Sequence, residues 1–274
     1  MPSFPALLRR VSVALPGIAA FAAVAFLDIH PLTVAFFSLI ALLCGFEAVA
    51  LLDGKAPAAL KVTAAVLTAG GSAAVALLPP AIALPLILVP GAIAGFWWMT
   101  TSGMEDASGR LAGSIGLLGA VSMAFGLLAR LRLEFDSPWI LFIPLLVCWA
   151  GDSAAYFTGV AFGRHRLAPR VSPAKSWEGF AAGMAASVGA AVLAGTCGAG
   201  LPAGWMVLAG AAGGAAGVLG DLFESALKRN AGVKDSGSLL PGHGGFLDRF
   251  DSILGAAPAA WLVLSLMITS GAAV

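Results

Sequence analysis

The sequence predicts an all-α, polytopic integral membrane protein with about nine transmembrane helices, N-terminus cytoplasmic and C-terminus outside. Three observations carry this. The chain of 274 residues is 59% apolar and only 11% charged, with a mean hydropathy of +0.96, whereas a soluble domain carries about 25% charged residues. The apolar residues come in runs of about 20, the length a helix needs to cross roughly 30 Å of hydrocarbon. Backbone groups in lipid must be satisfied within their own segment, so such runs are helices. The short alternating segments of a β-barrel do not occur.

The expected spans are about 11–28, 32–52, 57–78, 81–101, 111–130, 138–162, 177–197, 203–223 and 253–273. Pro31, Asp53-Gly54-Lys55, Pro79-Pro80 and Gly200-Leu201-Pro202 punctuate them. Arg9 and Arg10 precede the first run, but Pro16-Gly17 interrupts it, so a membrane helix is favoured over a signal peptide. With the N-terminus cytoplasmic, 13 of the 15 basic residues fall on the cytoplasmic side and only Arg130 and Arg132 outside, as the positive-inside rule requires. Net charge is +1, so bulk charge points to no nucleic-acid partner. Cys44, Cys148 and Cys197 sit in separate apolar runs without CxxC spacing, which supports neither a zinc site nor a disulfide framework. The chain reads as one membrane-embedded catalytic domain, 1–274. Residues 1–135 form N-terminal helices; 136–274 supply the helices and cytoplasmic loops that carry the active site.

Two cytoplasmic segments are long, about 163–176 and 224–252, in a chain whose other connections are short. The second is the more informative. It gathers Lys228, Arg229, Lys234, Asp235, His243, Asp248, Arg249 and Asp251 in a chain that otherwise avoids charge. Gly242, Gly244 and Gly245 bracket His243 and permit close backbone approach to a ligand. Backbone N–H groups in such turns cradle phosphate oxygens, and Lys and Arg neutralise them. Carboxylates among these cations suggest a bridging Mg²⁺. On a helix, Asp221, Ser225 and Lys228 share one face. The bland alternative is a solvated loop with internal ion pairs.

The first segment is entered from Asp152, a carboxylate well inside the sixth span. Such a group costs roughly 2.5–3.5 kcal/mol on insertion scales and is a functional candidate by default. Tyr156, the only tyrosine, lies four residues on. The loop then supplies Arg164, His165, Arg166, Arg170, Ser172 and Lys175, with Trp177 as an interfacial anchor. Glu47 stands alone in the second span, suited to a polar cavity or a cation elsewhere.

These stretches resemble the phosphatidate cytidylyltransferase (CDP-diacylglycerol synthase) family. Its signature reads S-x-L-K-R, four residues, K-D, then P-G-H-G-G-[apolar]-x-D-R-[apolar]-D. Here it is filled by Ser225, Lys228, Arg229, Lys234, Asp235, Pro241, His243, Gly244, Gly245, Asp248, Arg249 and Asp251. Upstream, Asp152, Ala155, Tyr156, Gly159, Phe162 and Gly163 are similar to the family's D-x-x-A-Y-x-x-G-x-x-F-G. Ser172-Pro173-Ala174-Lys175-Ser176-Trp177-Glu178-Gly179 is similar to its S-P-x-K-[ST]-W-E-G. Ala174 departs from the polar or basic residue common there. The strong resemblance covers about 152–252.

The resemblance implies transfer of CMP from CTP to phosphatidate, giving CDP-diacylglycerol and pyrophosphate. It also implies Mg²⁺ with a companion K⁺, and a homodimer. Asp221 and Asp248 would be metal ligands, with Asp251 and Ser225 in support. Lys228, Arg229, Lys234 and Arg249 would contact phosphates, with Asp235, Gly244 and Gly245 beside them, and His243 would touch pyrophosphate or shape the turn. Asp152, Tyr156, Ser172 and Lys175 would complete the cavity where lipid and nucleotide meet. The competing readings are a CTP-dependent lipid kinase and a membrane transporter; the transporter is disfavoured because the charge is packed into one half. Compact size and the lack of a targeting extension point to a bacterial inner membrane, with the active site facing the cytoplasm.

Overall fold

The computed structural model describes residues 4–101, 104–237, 239 and 244–272. Nine α-helices occur among them: α1 (Phe4–Phe26), α2 (His30–Leu52), α3 (Ala58–Leu77), α4 (Pro80–Thr101), α5 (Met104–Glu134), α6 (Phe142–Phe162), α7 (Trp177–Leu193), α8 (Ala203–Asn230) and α9 (Ile253–Thr269). Among the described residues, seven helical stretches are long and apolar enough to cross a membrane; the apolar stretch Leu15–Phe26 and α9 are shorter. Pro31 stands in the first turn of α2 and Pro80 opens α4, positions where a missing N–H costs nothing. α8 continues about two turns beyond its apolar run, which places Asp221, Ser225 and Lys228 on continuous helix.

One departure from the all-helical expectation lies between α6 and α7. There the chain forms an antiparallel hairpin, β1 (Arg166–Ala168) and β2 (Ser172–Ser176), with Arg166 opposite Ser176 and Ala168 opposite Ser172. Its turn closes from the Val171 N–H to the Ala168 carbonyl, 3.2 Å, with Pro169 at the position where its fixed φ suits a tight turn.

The chain divides into two compact units, Met1–Ala129 with Asn230–Phe250, and Arg130–Arg229 with Asp251–Val274. In the first, the helices are tied by hydroxyls donated to neighbouring carbonyls: Ser122 Oγ to Thr68 O at 3.1 Å and Ser114 Oγ to Gly91 O at 2.9 Å. Such bonds replace the hydrophobic drive that lipid removes. Asp53, just past α2, accepts from Trp98 Nε1 of α4 at 3.0 Å and pairs with Arg110 of α5 at 3.2 Å.

The second unit packs α6 against α7 and α8 against α9 at backbone range. Ser187 Oγ of α7 donates to Val147 O of α6, 2.8 Å. A Cβ on Gly183 would stand 2.9 Å from the Gly151 carbonyl oxygen, and one on Gly255 would overlap that of Ala216. At the far end Arg130 pairs with Glu134 at 2.7 Å, and Trp261 Nε1 donates to Glu134 at 3.1 Å.

The expected cost of filling these contacts is specific. Gly255→Ala lowers stability by about 1–3 kcal/mol through overpacking, whereas Gly189→Ala, with open space around it, leaves it unchanged or raised. Thermal unfolding of the two variants in one detergent checks the contrast.

Candidate active site

In the second unit, α6, the hairpin, α7 and α8 enclose a cavity of about 840 Å³. Val147, Val160, Phe180, Met184 and Val218 give it apolar walls, and Asp152, Tyr156, Lys175, Asp221 and Ser252 supply polar groups. This size and mixture suit a ligand with a large apolar part and a few anchoring contacts.

The polar groups are organised around Asp221. Its Oδ2 pairs with Lys175 Nζ at 2.5 Å, and its Oδ1 accepts from Ser225 Oγ at 3.2 Å, one helical turn on. Lys175 reaches this position because β2 ends in the N-cap of α7: Ser176 Oγ accepts from the Gly179 N–H, 3.1 Å. Ser252 Oγ donates to Asp152 Oδ2 at 3.3 Å. Beside it, Asp251 Oδ1 accepts from the Ser252 N–H at 2.7 Å. Burial pushes the Asp251 carboxyl up to about 6, and the Asp221 and Asp152 charges add to the rise against the Ser252 bond and Lys228.

Lys228 is buried, with its ammonium 3.1 Å from Glu224, itself fully buried. Sequence reasoning gave Glu224 no role, although the Glu–Lys i,i+4 spacing that forms this pair is visible in the sequence. Arg229 is exposed at the end of α8. Ser172 begins β2 half-buried, and Ala174 is exposed at the cavity wall. Glu178, also unassigned from sequence, braces the hairpin. It accepts from the N–H groups of Arg164 (3.2 Å) and His165 (3.3 Å) and meets His165 Nδ1 at 2.6 Å.

The first unit holds the rest of the signature. Asp248 Oδ2 accepts from the N–H groups of Ser236 (2.9 Å) and Gly245 (2.8 Å). Gly244 has φ +79°, a conformation that favours glycine. Phe250 meets Phe125 of α5 edge-on, 5.3 Å between ring centroids. Lys234, Asp235 and Arg249 are exposed. His243 and Pro241 lie outside the described residues. Glu47 of α2 enters this segment too, its Oε2 accepting from Ser236 Oγ at 3.1 Å and the Leu247 N–H at 2.9 Å.

Among the described residues, no three His, Cys, Asp or Glu side chains are grouped to hold a metal ion. Mg²⁺ asks for less: one or two carboxylates, completed by water and substrate phosphates. The donor chemistry at Asp221 fits that demand. Its carboxylate is half-buried near two others, and Lys175 supplies positive charge on it.

Residues 8–267 match the model of the cytidylyltransferase family. Curated relatives named phosphatidate cytidylyltransferase share part of the chain. The protein from Mycobacterium bovis is 43% identical over 134 residues, 49% of this chain and 44% of that protein. That from Haemophilus influenzae is 45% identical over 144 residues, 47% of this chain and 49% of its own. That from Bacillus subtilis is 45% identical over 127 residues, 46% and 47% respectively. The chain thus spans about half the length of the curated relatives it matches. With nearly its whole length under the family model, this chain belongs to the cytidylyltransferase family.

Proposed function

We propose that the protein is a membrane phosphatidate cytidylyltransferase, converting CTP and phosphatidate to CDP-diacylglycerol and pyrophosphate. The observation that carries this reading is the cavity of the second unit. Apolar walls suited to lipid tails meet a polar end built from Asp152, Lys175, Asp221 and Ser252. The names of the curated relatives support the same substrate pair.

In this reaction a phosphate oxygen of phosphatidate bonds to the α-phosphorus of CTP. The bond from that phosphorus to the β-phosphate oxygen breaks, and pyrophosphate leaves with the electron pair. The attacking oxygen is largely ionised near neutral pH, its second pKa lying near ~6, so no strong general base is needed. The chief obstacle is repulsion between two polyanions. Lys175, held by Asp221, offers a cation at the cavity. Arg229, Lys234 and Arg249 are exposed cations for phosphate contacts. Asp221 and Asp248 are the residues we assign to Mg²⁺, with K⁺ as a companion ion. When bound, Mg²⁺ neutralises and orients phosphate oxygens.

The proposal includes nine spans, N-terminus cytoplasmic and C-terminus outside, in a bacterial inner membrane, with the site on the cytoplasmic face and a homodimer as the assembly. The bias of basic residues toward one side supports that orientation. It also agrees with the chemistry, since CTP is cytosolic and phosphatidate keeps its head at the interface.

Three outcomes are expected. Protein in detergent–phosphatidate micelles with CTP and Mg²⁺ yields pyrophosphate and CDP-diacylglycerol in equal amounts, and EDTA abolishes both. CDP without CDP-lipid would instead identify a kinase. Asp248→Asn keeps an oxygen able to accept the two backbone bonds but removes the charge. Turnover falls below about a tenth, a loss above ~1.4 kcal/mol, and retention above that level removes Asp248 from the metal assignment. The third outcome concerns pH. The raised Asp251 carboxyl is neutral below about 6 and ionised above it, and the substrate phosphate titrates near ~6 as well. The acid limb of log kcat/KM against pH therefore approaches a slope of two, and Asp251→Asn reduces it to the single slope of the substrate.

A further inference from the structure

Glu47 is 3% exposed in the apolar stretch of α2, and nothing in the reaction as described uses it. Its partners lie 189 and 200 residues away in sequence. Oε2 takes the Ser236 hydroxyl at 3.1 Å and the Leu247 N–H at 2.9 Å. The Ser236 N–H goes to Asp248 Oδ2, which also takes the Gly245 N–H. Two carboxylates therefore pin residues 236, 245 and 247 to one another, and one of the two carboxylates is mounted on a membrane helix. Glu47 Oε1 is buried with no hydrogen-bond partner among the described residues.

Two glycines make room for this arrangement. A Cβ on Gly245 would overlap Ser236 Oγ and stand 2.7 Å from Glu47 Oε2. A Cβ on Gly237 would overlap Glu47 Oε1. Gly237 does not have a positive φ, so its backbone would accept alanine; what opposes a side chain there is the Glu47 carboxylate.

We infer that Glu47 is a positioning residue. From within α2 it fixes residues 236, 245 and 247 relative to one another, so that the neighbouring signature residues Lys234, Asp235, Gly244, Gly245, Asp248 and Arg249 are held ready for the nucleotide. The structural half of this inference stands on the hydrogen bonds alone; the catalytic half rests on the proposed cytidylyl transfer. The glutamate acts through the segment it holds and touches no reacting atom. Its requirement is an acceptor oxygen at the position of Oε2, which an amide also provides.

The test uses the full chain in detergent–lipid micelles, with Glu47→Ala, Glu47→Gln, Gly237→Ala and the Glu47→Ala/Gly237→Ala pair. Amide hydrogen exchange is followed in peptides covering 234–250, and KM is measured for CTP and for phosphatidate separately. Glu47→Ala is expected to speed exchange in 234–250 by tenfold or more while peptides from α3 and α7 stay unchanged. It raises KM for CTP about tenfold and leaves KM for phosphatidate within about twofold. Glu47→Gln restores both readouts. Gly237→Ala reproduces the defect alone and adds nothing in the Glu47→Ala background, where the clash is gone. If Glu47→Ala does not accumulate, Ser236→Ala removes one of the two donors and shifts the same readouts in the same direction. Unchanged exchange in Glu47→Ala, a Glu47→Gln variant as defective as the alanine, or additive Gly237→Ala and Glu47→Ala effects would each overturn the inference. Should wild type produce no CDP-lipid, the proposed reaction fails. The exchange comparison then decides the structural half by itself, upheld by lost protection and overturned by unchanged protection.

Discussion

A carboxylate taken out of water must find a donor or a cation, and that requirement organises both units of this protein. Bringing an unpaired charge into hydrocarbon is expensive enough that few are kept. Those present have assigned partners. Asp221 has Lys175 and Ser225; Glu224 has Lys228; Asp152 has Ser252; Glu47 has Ser236 and the Leu247 amide. Each pairing joins residues on different elements or adjacent turns, so the polar interior also fixes the tertiary arrangement within its unit. The apolar helices supply the solvent match; the carboxylates supply the register.

The helices were legible from sequence because the membrane imposes a length. Runs of about 20 apolar residues have one solution in lipid. Expected and observed helices accordingly begin and end within a few residues of each other along α2, α3, α4 and α6. The exceptions have physical causes. α5 and α8 run past their apolar segments because nothing at Arg130 or Ser225 breaks a helix, so charged residues expected in loops are helical. The β1–β2 hairpin escaped notice because its strands are three and five residues long, too short for alternation to register. Among the described residues, seven helical stretches meet the length and hydropathy needed to cross a membrane, while α9, at 17 residues, stops short of the 253–273 run expected for it.

The candidate site was legible as a set of proposed residues but not as a set of contacts. Chemistry and motif spacing identified Asp152, Lys175, Asp221 and Asp248, and the fold shows which atoms each one meets. Local pairs were within reach of sequence reasoning: Glu224 and Lys228 are one helical turn apart. Distant ones were not. No periodicity links Glu47 to Ser236, and no composition shows that Asp248 spends an oxygen on two backbone amides. Such partners become visible only when the chain brings a loop back to a helix placed near its start.

One feature of the second unit bears on motion. Ser176 is at once the last residue of β2 and the N-cap of α7, and Glu178, the second residue of the helix, grips the backbone at the other foot of the hairpin. The hairpin therefore has no free joint where it meets α7. It behaves as a stiff extension of that helix, a short lever with Lys175 mounted near its fulcrum. The backbone that carries the ammonium is held at both feet of the hairpin. A tilt of α7 carries it bodily, and the distance between it and Asp221 becomes a property of how two helices lean rather than of a loop's wandering.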